Sequence, residues 1–369
     1  MATVSQNSRM VKIKSEKQKV SRQNGVALVT ALLIVSLATI MAVSLVSRQY
    51  IDVRRTGNIM LSDQAYLYSL AMENFAGQLL AFYRDKGKST FDDRAEFEAA
   101  MLQFSAFPVE GGTVSVSVSY PGAMFNVNTL IDGNGNPVTK QKERYERLLA
   151  SVLTDLNFGT GQVDELSDAL LDWLDPDDNV RAIGAEDGTY ESKDSPYKAA
   201  NTMMTSISEL RLVEGYSHDI LYGFPEDENN PAIPGLLSYV TALPDRETKL
   251  NVNLVTEPKQ FFALSDLIDD QMAKDLLVDS DSYDSIAQIK NSTALENVST
   301  QLLPGQTQTD KQKIDAALTD MTDVQSLYFM LKGVATVGQA RIDLNSLIYV
   351  SKNGTKLEVI SRSIGTAGI

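Results

Sequence analysis

The chain has 369 residues, with 48 acidic against 33 basic side chains and a formal net charge of −15. It contains no cysteine, which excludes disulfide bonds, thiol nucleophiles and thiolate metal sites. Its single histidine, His218, excludes metal sites built from several imidazoles and leaves one candidate base for a Ser-His-Asp triad. This negative charge argues against nucleic acid as a partner and favours binding of a hard cation.

Near the amino terminus, residues 25–46 form an apolar stretch without a charged side chain. About 22 helical residues at 1.5 Å each span roughly 33 Å, enough for the ~30 Å hydrocarbon core of a bilayer. Six basic residues and one acid precede the stretch, and cationic segments resist translocation. We therefore predict a cleaved cytoplasmic leader over residues 1–25, the transmembrane half of a helix over 26–47, and export of the remainder.

The junction between Gly25 and Val26 separates the basic leader from the apolar helix. It resembles the cleavage site of type IV pilins and pseudopilins, whose leader is removed after that glycine on the cytoplasmic face. Most of that superfamily has glutamate at the fifth mature position, which is Thr30 here, but the protein K branch of type II secretion lacks that glutamate. An ordinary secretory signal is the alternative, since a small-x-small site occurs at residues 42–44, although signal h-regions usually run only about 7–15 residues.

Residues 48–84 contain no proline and keep apolar side chains at roughly helical spacing. We expect one long helix, with its first half in the membrane, an amphipathic second half, and its weakest point at Gly57-Asn58. A membrane anchor followed by an ordinary helical linker is the alternative.

Strand signals occur in two separate parts of the chain. Valines at alternate positions in Thr113–Tyr120 predict a half-buried antiparallel strand, and residues 123–128 are predicted as a second strand after a Pro-Gly turn. Near the carboxyl terminus three more strands are predicted, over residues 324–337, 340–350 and 357–361.

Between these strands the apolar spacing is helical, as over residues 140–174 with a break at 159–161. The predicted fold class is α+β: a pilin-like long N-terminal helix packed on an antiparallel sheet, with a large, mainly α-helical domain (residues 129–322) inserted between strands. The sheet domain then comprises residues 48–128 and 323–369. Two independent domains in series are the alternative, although two strands alone are only marginally stable.

A short motif is repeated inside the chain, as Phe125-Asn126-Val127-Asn128 and as Leu250-Asn251-Val252-Asn253. Each copy precedes helical sequence, and each asparagine can cap a helix or turn the chain. The repeat predicts two copies of a small helical module.

The densest acidic stretch runs from Asp172 to Asp194 in loop-forming sequence. Its carboxylates would repel one another unless they were solvated or bridged by cations. Calcium takes about 6–8 oxygen ligands from carboxylates, carbonyls and water, which such a loop can supply. A solvated acidic loop is the alternative.

Other candidate sites are less specific. Asp132, Asn134, Asn136 and Glu143 match the spacing of a calcium loop, but Pro137 stands where that loop needs glycine, so we interpret this segment as an Asx-rich turn. The acids at 279, 281 and 284 do not form a specific calcium-binding pattern. His218 is interpreted as a surface residue. The sequence does not single out any pair of carboxylates as catalytic groups for hydrolysis.

Several further segments resemble protein K of the type II secretion system. They are Arg55–Asn58, Asp172–Asp177, Gly184–Asp187, Pro196–Asn201, Ile207–Val213, Leu250–Asn253 and the strands from Tyr328 to Val350. The resemblance implies a non-enzymatic minor pseudopilin, cleaved by prepilin peptidase and N-methylated. It would cross the inner membrane of a Gram-negative bacterium once, with its C-terminal domain in the periplasm. It would join the I, J and H minor pseudopilins at the pseudopilus tip, above the inner-membrane secretion platform.

The resemblance also implies one or two calcium ions near the Asp-Trp-x-Asp-x-Asp segment. The expected ligands are Asp175, Asp177, Asp178, Glu186, Asp187 and Asp194. Two other functions are alternatives: a minor pilin of a type IV pilus, which would not need the helical insertion, and a membrane-anchored calcium-dependent hydrolase, which would need a convergent acid pair.

Overall fold

The structure is a computed structural model that describes residues 23–85, 99, 101–102, 106–227, 230–278, 283–352 and 354–365. The chain divides into two compact units, Met1–Met60 and Leu61–Ile369. The predicted leader lies outside the described residues except for its last three positions.

A single helix, α1 (Gln23–Asp85), begins in the first unit and ends in the second, and it is unbroken at Gly57-Asn58. Among the described residues it is the one helix long and apolar enough to cross a membrane. Its hydroxyls are satisfied within the helix: Thr30 donates to the carbonyl oxygens of Val26 and Ala27, both at 3.0 Å, and Thr39 donates to Val35 at 2.7 Å. The predicted continuous helix is confirmed.

In the second unit the remaining α-helices of the described residues are short. They are α2 (Thr139–Asp155), α3 (Val163–Leu174), α4 (Asp187–Glu191), α5 (His218–Tyr222), α6 (Lys259–Phe262), α7 (Asp270–Val278), α8 (Ile286–Lys290) and α9 (Asp310–Met321). The predicted break between α2 and α3 is confirmed.

The strands fall into one main sheet and three two-residue pairings. They are β1 (Phe107–Val109), β2 (Gly112–Ser119), β3 (Phe125–Asn126), β4 (Gly223–Phe224), β5 (Ile233–Pro234), β6 (Val240–Thr241), β7 (Leu250–Asn251), β8 (Thr322–Asp323), β9 (Tyr328–Val337), β10 (Ala340–Val350) and β11 (Leu357–Ile364). The main sheet is antiparallel in the order β1-β2-β9-β10-β11.

The core of the sheet domain lies between α1 and one face of this sheet. Ala65 and Ala76 of α1 are fully buried there, together with Val114 of β2, Phe329 of β9 and Ile348 of β10. Small helix residues let the helix backbone approach the strands closely, so the larger strand side chains fill the interface.

Strands β2 and β9 are neighbours in the sheet although residues 120–327 separate them in the chain. The predicted insertion of helical sequence between strands is therefore confirmed, whereas the exact domain limits stay predictions. The prediction of a second sheet strand over 123–128 is wrong: β3 covers only Phe125–Asn126 and pairs in parallel with β6. The short β1 takes the place beside β2 instead.

The inserted residues form two helical modules with separate cores: one runs from Phe125 to Ala242 and also takes in Ala263, and the other runs from Leu250 to Met321. The repeated motif performs the same task in both. Asn128 accepts from the Met204 amide at 2.9 Å and donates to the Met204 carbonyl at 2.9 Å. Asn253 does the same with Tyr283, at 2.8 and 3.0 Å. The predicted duplication is confirmed by these matched contacts.

Candidate metal centre

The acidic stretch begins at the end of α3 in the first module. Leu166, Leu170 and Trp173 bury the apolar face of this helix, and Asp172 is also fully buried. The helix ends at Leu174, and Asp175 takes an extended conformation because proline at 176 disfavours a helical residue before it. The packing of α3 therefore buries two carboxylates, those of Asp172 and Asp175, at the start of the loop.

Arg181 neutralises part of this buried charge. Its Nη1 atom contacts Oδ1 of Asp172 and lies 2.6 Å from Oδ2 of Asp175, and its backbone amide donates to Asp172 at 3.2 Å. Gly184 makes room for the arrangement, because a Cβ there would collide with Oδ2 of Asp172. Burial still raises the pKa of Asp172 and of Asp175, and the arginine opposes that rise. Oδ1 of Asp175 is buried and has no hydrogen-bond partner in the part of the chain that the structure describes.

Glu186 is the least compensated group of the loop. Its residue is 6% exposed, and neither carboxylate oxygen has a hydrogen-bond partner among the described residues. Burial raises the pKa of Glu186 to about 7, and the charges of Asp172, Asp175, Asp178 and Asp177 act in the same direction. A buried carboxylate facing other carboxylates needs a proton or a cation to be stable.

Two exposed acids of the loop, Asp177 and Asp178, also act on Glu186 through their charges. Asp177 accepts at 2.8 Å from the Asn179 amide, which forms an Asx turn, and Asp178 accepts at 2.9 Å from Nδ2 of Asn201. Asn201 adopts a left-handed backbone conformation with φ of 47°, which asparagine tolerates better than most residues. Its Oδ1 atom is buried with no hydrogen-bond partner from the described residues, so it offers a further neutral oxygen.

The chemistry of this donor set suits calcium, because it consists of carboxylate and amide oxygens. Among the described residues, no three carboxylate or imidazole side chains are already arranged to hold one ion. The exposed side chains of Asp177 and Asp178 would have to rotate towards the buried oxygens of Asp175 and Glu186. Unpartnered buried oxygens on one side and exposed side chains on the other fit a site that closes around its cation.

The remaining predicted ligands are placed differently. Asp187 accepts from Lys198 Nζ at 2.5 Å and from the Ala199 amide at 3.0 Å, and the hydrogen bond from Lys198 lowers the pKa of Asp187. Asp194 is exposed. Neither residue is among the four carboxylates that act on Glu186.

The other candidates from the sequence are resolved as follows. Oδ1 of Asp132 accepts from the amides of Asn134 and Asn136, both at 2.8 Å, which confirms the Asx-rich turn. His218 is exposed and stacks on Tyr222 at 4.7 Å, as predicted for a surface residue. Positions 279 and 281 lie outside the described residues.

Sequence reasoning missed Arg181 and Asn201 as parts of the site. Arg181 had a signal, because it is the only basic residue between Asp172 and Glu191. A lone cation inside an acidic run is a candidate counter-ion. Asn201 had no comparable signal, since only the folded backbone brings it to Asp178.

Three aromatic side chains in and beside the acidic loop pack against one another. The Trp173 ring meets Tyr190 edge-on at 5.3 Å, and Tyr190 stacks on Tyr197 at 5.2 Å. Trp173 is buried and is the only tryptophan of the chain. Its fluorescence therefore reports on this site alone.

Comparison with known proteins identifies the family. Residues 123–223 match the family model described as "Type II secretion system (T2SS), protein K". Type II secretion system protein K of Aeromonas hydrophila is 30% identical over 357 residues, which cover 94% of this chain and 98% of the relative. The protein of the same name from Pectobacterium carotovorum is 29% identical over 352 residues, covering 94% and 97% of the two chains.

A solved structure shares the fold. It is a chain in the crystal structure of the GspK-GspI-GspJ complex of the type 2 secretion system of enterotoxigenic Escherichia coli. The TM-score is 0.66 at 21% identity, and the match covers 85% of this chain and 100% of the other. With a near full-length relative at 30% identity, the chain belongs to the family of type II secretion system protein K.

Proposed function

We propose that this chain is a minor pseudopilin that caps or begins the periplasmic pseudopilus at its tip, and so supports export of folded proteins across the outer membrane. The observation that carries the proposal is the pair of helical modules inserted between β2 and β9. A subunit that repeats along a filament needs a compact body with free surfaces for both neighbours. Residues 120–327 add bulk that would obstruct a subunit stacked above this one.

Thr30 supports the same position. A charged carboxylate inside a bilayer is costly unless it is paired, and pilin-like subunits with glutamate at this position are thought to pair it with a neighbour's amino terminus. The Thr30 hydroxyl instead donates to its own helix. It therefore offers no charge to a subunit above.

Membership of the family supports a proposal for the partners and the location of the chain. We propose that the chain assembles with I-type and J-type minor pseudopilins, because the similar crystal structure is that of a GspK-GspI-GspJ complex, with an H-type subunit nearby. Prepilin peptidase would cut after Gly25, the new amino terminus at Val26 would be methylated, and the inner-membrane platform would receive the subunit. The apolar part of α1 would anchor it once in the inner membrane, with the second unit in the periplasm. Its role would be structural rather than enzymatic.

Labelling of isolated pseudopili tests the tip position. An epitope placed in the exposed loop 301–308 of the second module should be detected at one end of each filament. The Thr30→Glu variant should insert in the membrane and give the same pattern, because the inserted modules still obstruct stacking. Regular labels along the filament would overturn the proposal.

We also propose that the acidic loop binds calcium, as one or two ions. The support is the buried, unpartnered oxygens of Glu186 and Asp175, with Asp177 and Asp178 beside them. Asp187 and Asp194 stay proposed ligands on the basis of the sequence alone. The ion would supply the positive charge that Glu186 lacks, and the chain's own part is to hold α3, the loop and Asn201 together around it.

A further inference from the structure

A second uncompensated charge lies in the first module, apart from the acidic loop. Arg144 of α2 is 2% exposed, and its Nε and Nη2 atoms are buried without a hydrogen-bond partner among the described residues. The face of its guanidinium group lies 5.0 Å above the ring of Phe125. That contact uses the face of the guanidinium group and does not provide an acceptor for its Nε and Nη2 atoms.

Nε and Nη2 form the fork with which arginine binds two oxygens side by side. Three other arginines of this chain use the same pair of atoms. Arg362 binds the carboxylate of Glu73, Arg341 binds Asp343, and Arg147 binds the carbonyl oxygens of Ala263 and Leu264. Arg144 differs because its fork has no acceptor from the described chain.

The charge of Arg144 is not removed by loss of its proton. Burial lowers the pKa of Arg144 to about 9, and the positive charge of Arg147 lowers it in the same direction, so the side chain stays protonated at neutral pH. Among the described residues, Arg147 is the one charged group that shifts the pKa of Arg144. A buried cation beside another cation is costly unless an anion compensates it.

We propose that Arg144 binds a small monovalent inorganic anion, with chloride as the physiological ligand, through Nε and Nη2. A single small ion is the proposed ligand because the near-complete burial of the side chain argues against a partner's carboxylate or a phosphorylated group. Gln141 lies one turn earlier on the same helix, and its buried Oε1 atom has no hydrogen-bond partner within the described ranges. Rotation of that amide would present its NH2 group as a third donor.

The test exchanges anions at constant ionic strength. The full-length chain in neutral detergent, with a fixed excess of chelator, is melted as sodium gluconate is replaced stepwise by sodium chloride. Chloride at ten times its Kd should multiply the folding equilibrium constant about elevenfold, and the melting temperature of the wild type should rise accordingly. Arg144→Met should lose the chloride response and be at least as stable as the wild type in gluconate, because an unpaired buried charge has been removed.

Arg341→Met is the matched control, since this arginine is exposed and already paired with Asp343. It should keep the chloride response. An equal response in the wild type and in Arg144→Met would overturn the proposal.

A crystal of the wild type grown in sodium bromide decides the matter even if Arg144→Met fails to fold. Anomalous density within hydrogen-bond distance of Nε and Nη2 is expected. Water alone at that position would refute the anion site.

Discussion

Arg362 of β11 donates two hydrogen bonds to Glu73 of α1, from Nε at 2.9 Å and from Nη2 at 2.8 Å. Ser346 of β10 also contacts the carboxylate, which is only 3% exposed. Burial alone would raise the pKa of Glu73, but the bonds from Arg362 and Ser346 lower it below its usual value. A half-exposed arginine paired with a buried carboxylate thus fixes the second part of α1 against the last two strands.

Removing one partner of this pair should destabilise the sheet domain. Arg362→Met leaves the buried carboxylate of Glu73 without its cation, and because Arg362 itself is 44% exposed we expect a cost of about 1–3 kcal/mol, below that of a fully buried pair. Because the folded-state pKa of Glu73 is lowered, the pair stabilises the fold above pH 4.5 and this stability is lost as the pH falls through the folded pKa. Chemical denaturation of both proteins at pH 7 and at acidic pH should show a difference that shrinks on acidification. A constant difference would contradict the ion-pair explanation.

Leader removal should leave Val26 as the first residue of the mature protein. A Cβ added at Gly25 would meet no atom within 4 Å, so Gly25→Val should keep the helix and block cleavage. Intact mass measurement of membrane-extracted protein distinguishes the two forms. A mature terminus near Leu45 would mean an ordinary signal peptide.

Calcium should stabilise the first module. Binding to the folded state alone adds about 2.7 kcal/mol at a hundredfold excess of calcium over Kd. Melting is followed by the fluorescence of Trp173, in calcium gluconate and in chelator, so that no chloride is added. Asp175→Ala combined with Asp177→Ala should lose most of the increase.

Asp164→Asn is the control for this experiment, since Asp164 is an exposed acid on the same helix. It should respond to calcium as the wild type does. Equal melting of the wild type in calcium and in chelator would refute the calcium site.

Glu186 should make stability depend on pH in the absence of calcium. Its folded-state pKa of about 7 lies above the ordinary value of 4.5, so the folded state holds a proton that the unfolded state has lost. The free energy of unfolding should therefore fall as the pH rises from 4.5 to 7, by up to about 3 kcal/mol.

Glu186→Gln should remove that decline, and calcium should counteract it in the wild type. Calcium affinity should accordingly increase with pH over the same interval. The difference between the wild type and Glu186→Gln in chelator isolates this one group, and the same pH profile for both would contradict the assignment.

The long helix and the three C-terminal strands could be predicted from local pattern because each is long and periodic. The segment at 123–128 could not. Asn126 donates to the carbonyl oxygen of Asp245 at 2.7 Å and accepts from the Leu243 amide at 2.9 Å, and these distant contacts draw β3 out of the main sheet. The three residues of β1 are too few to show a period.

The acids of the candidate site were also visible in the sequence, but their division into two groups was not. Asp172 and the Oδ2 atom of Asp175 face Arg181, whereas the Oδ1 atom of Asp175 and Glu186 have no such partner. That division depends on which atoms the end of α3 turns inward. Composition gives the number of carboxylates, whereas the fold determines which of them are neutralised.

The pairing of β2 with β9 sets an order of events during synthesis. The three strands that complete the sheet begin only at Tyr328, so β2 has no neighbour on that side until β9 has been synthesised. Each helical module has its own core and can fold as soon as it is made. Until β9 and β10 are in place, the apolar face of α1 that packs against them stays uncovered. The sheet of the second unit therefore closes only after both inserted modules have been made.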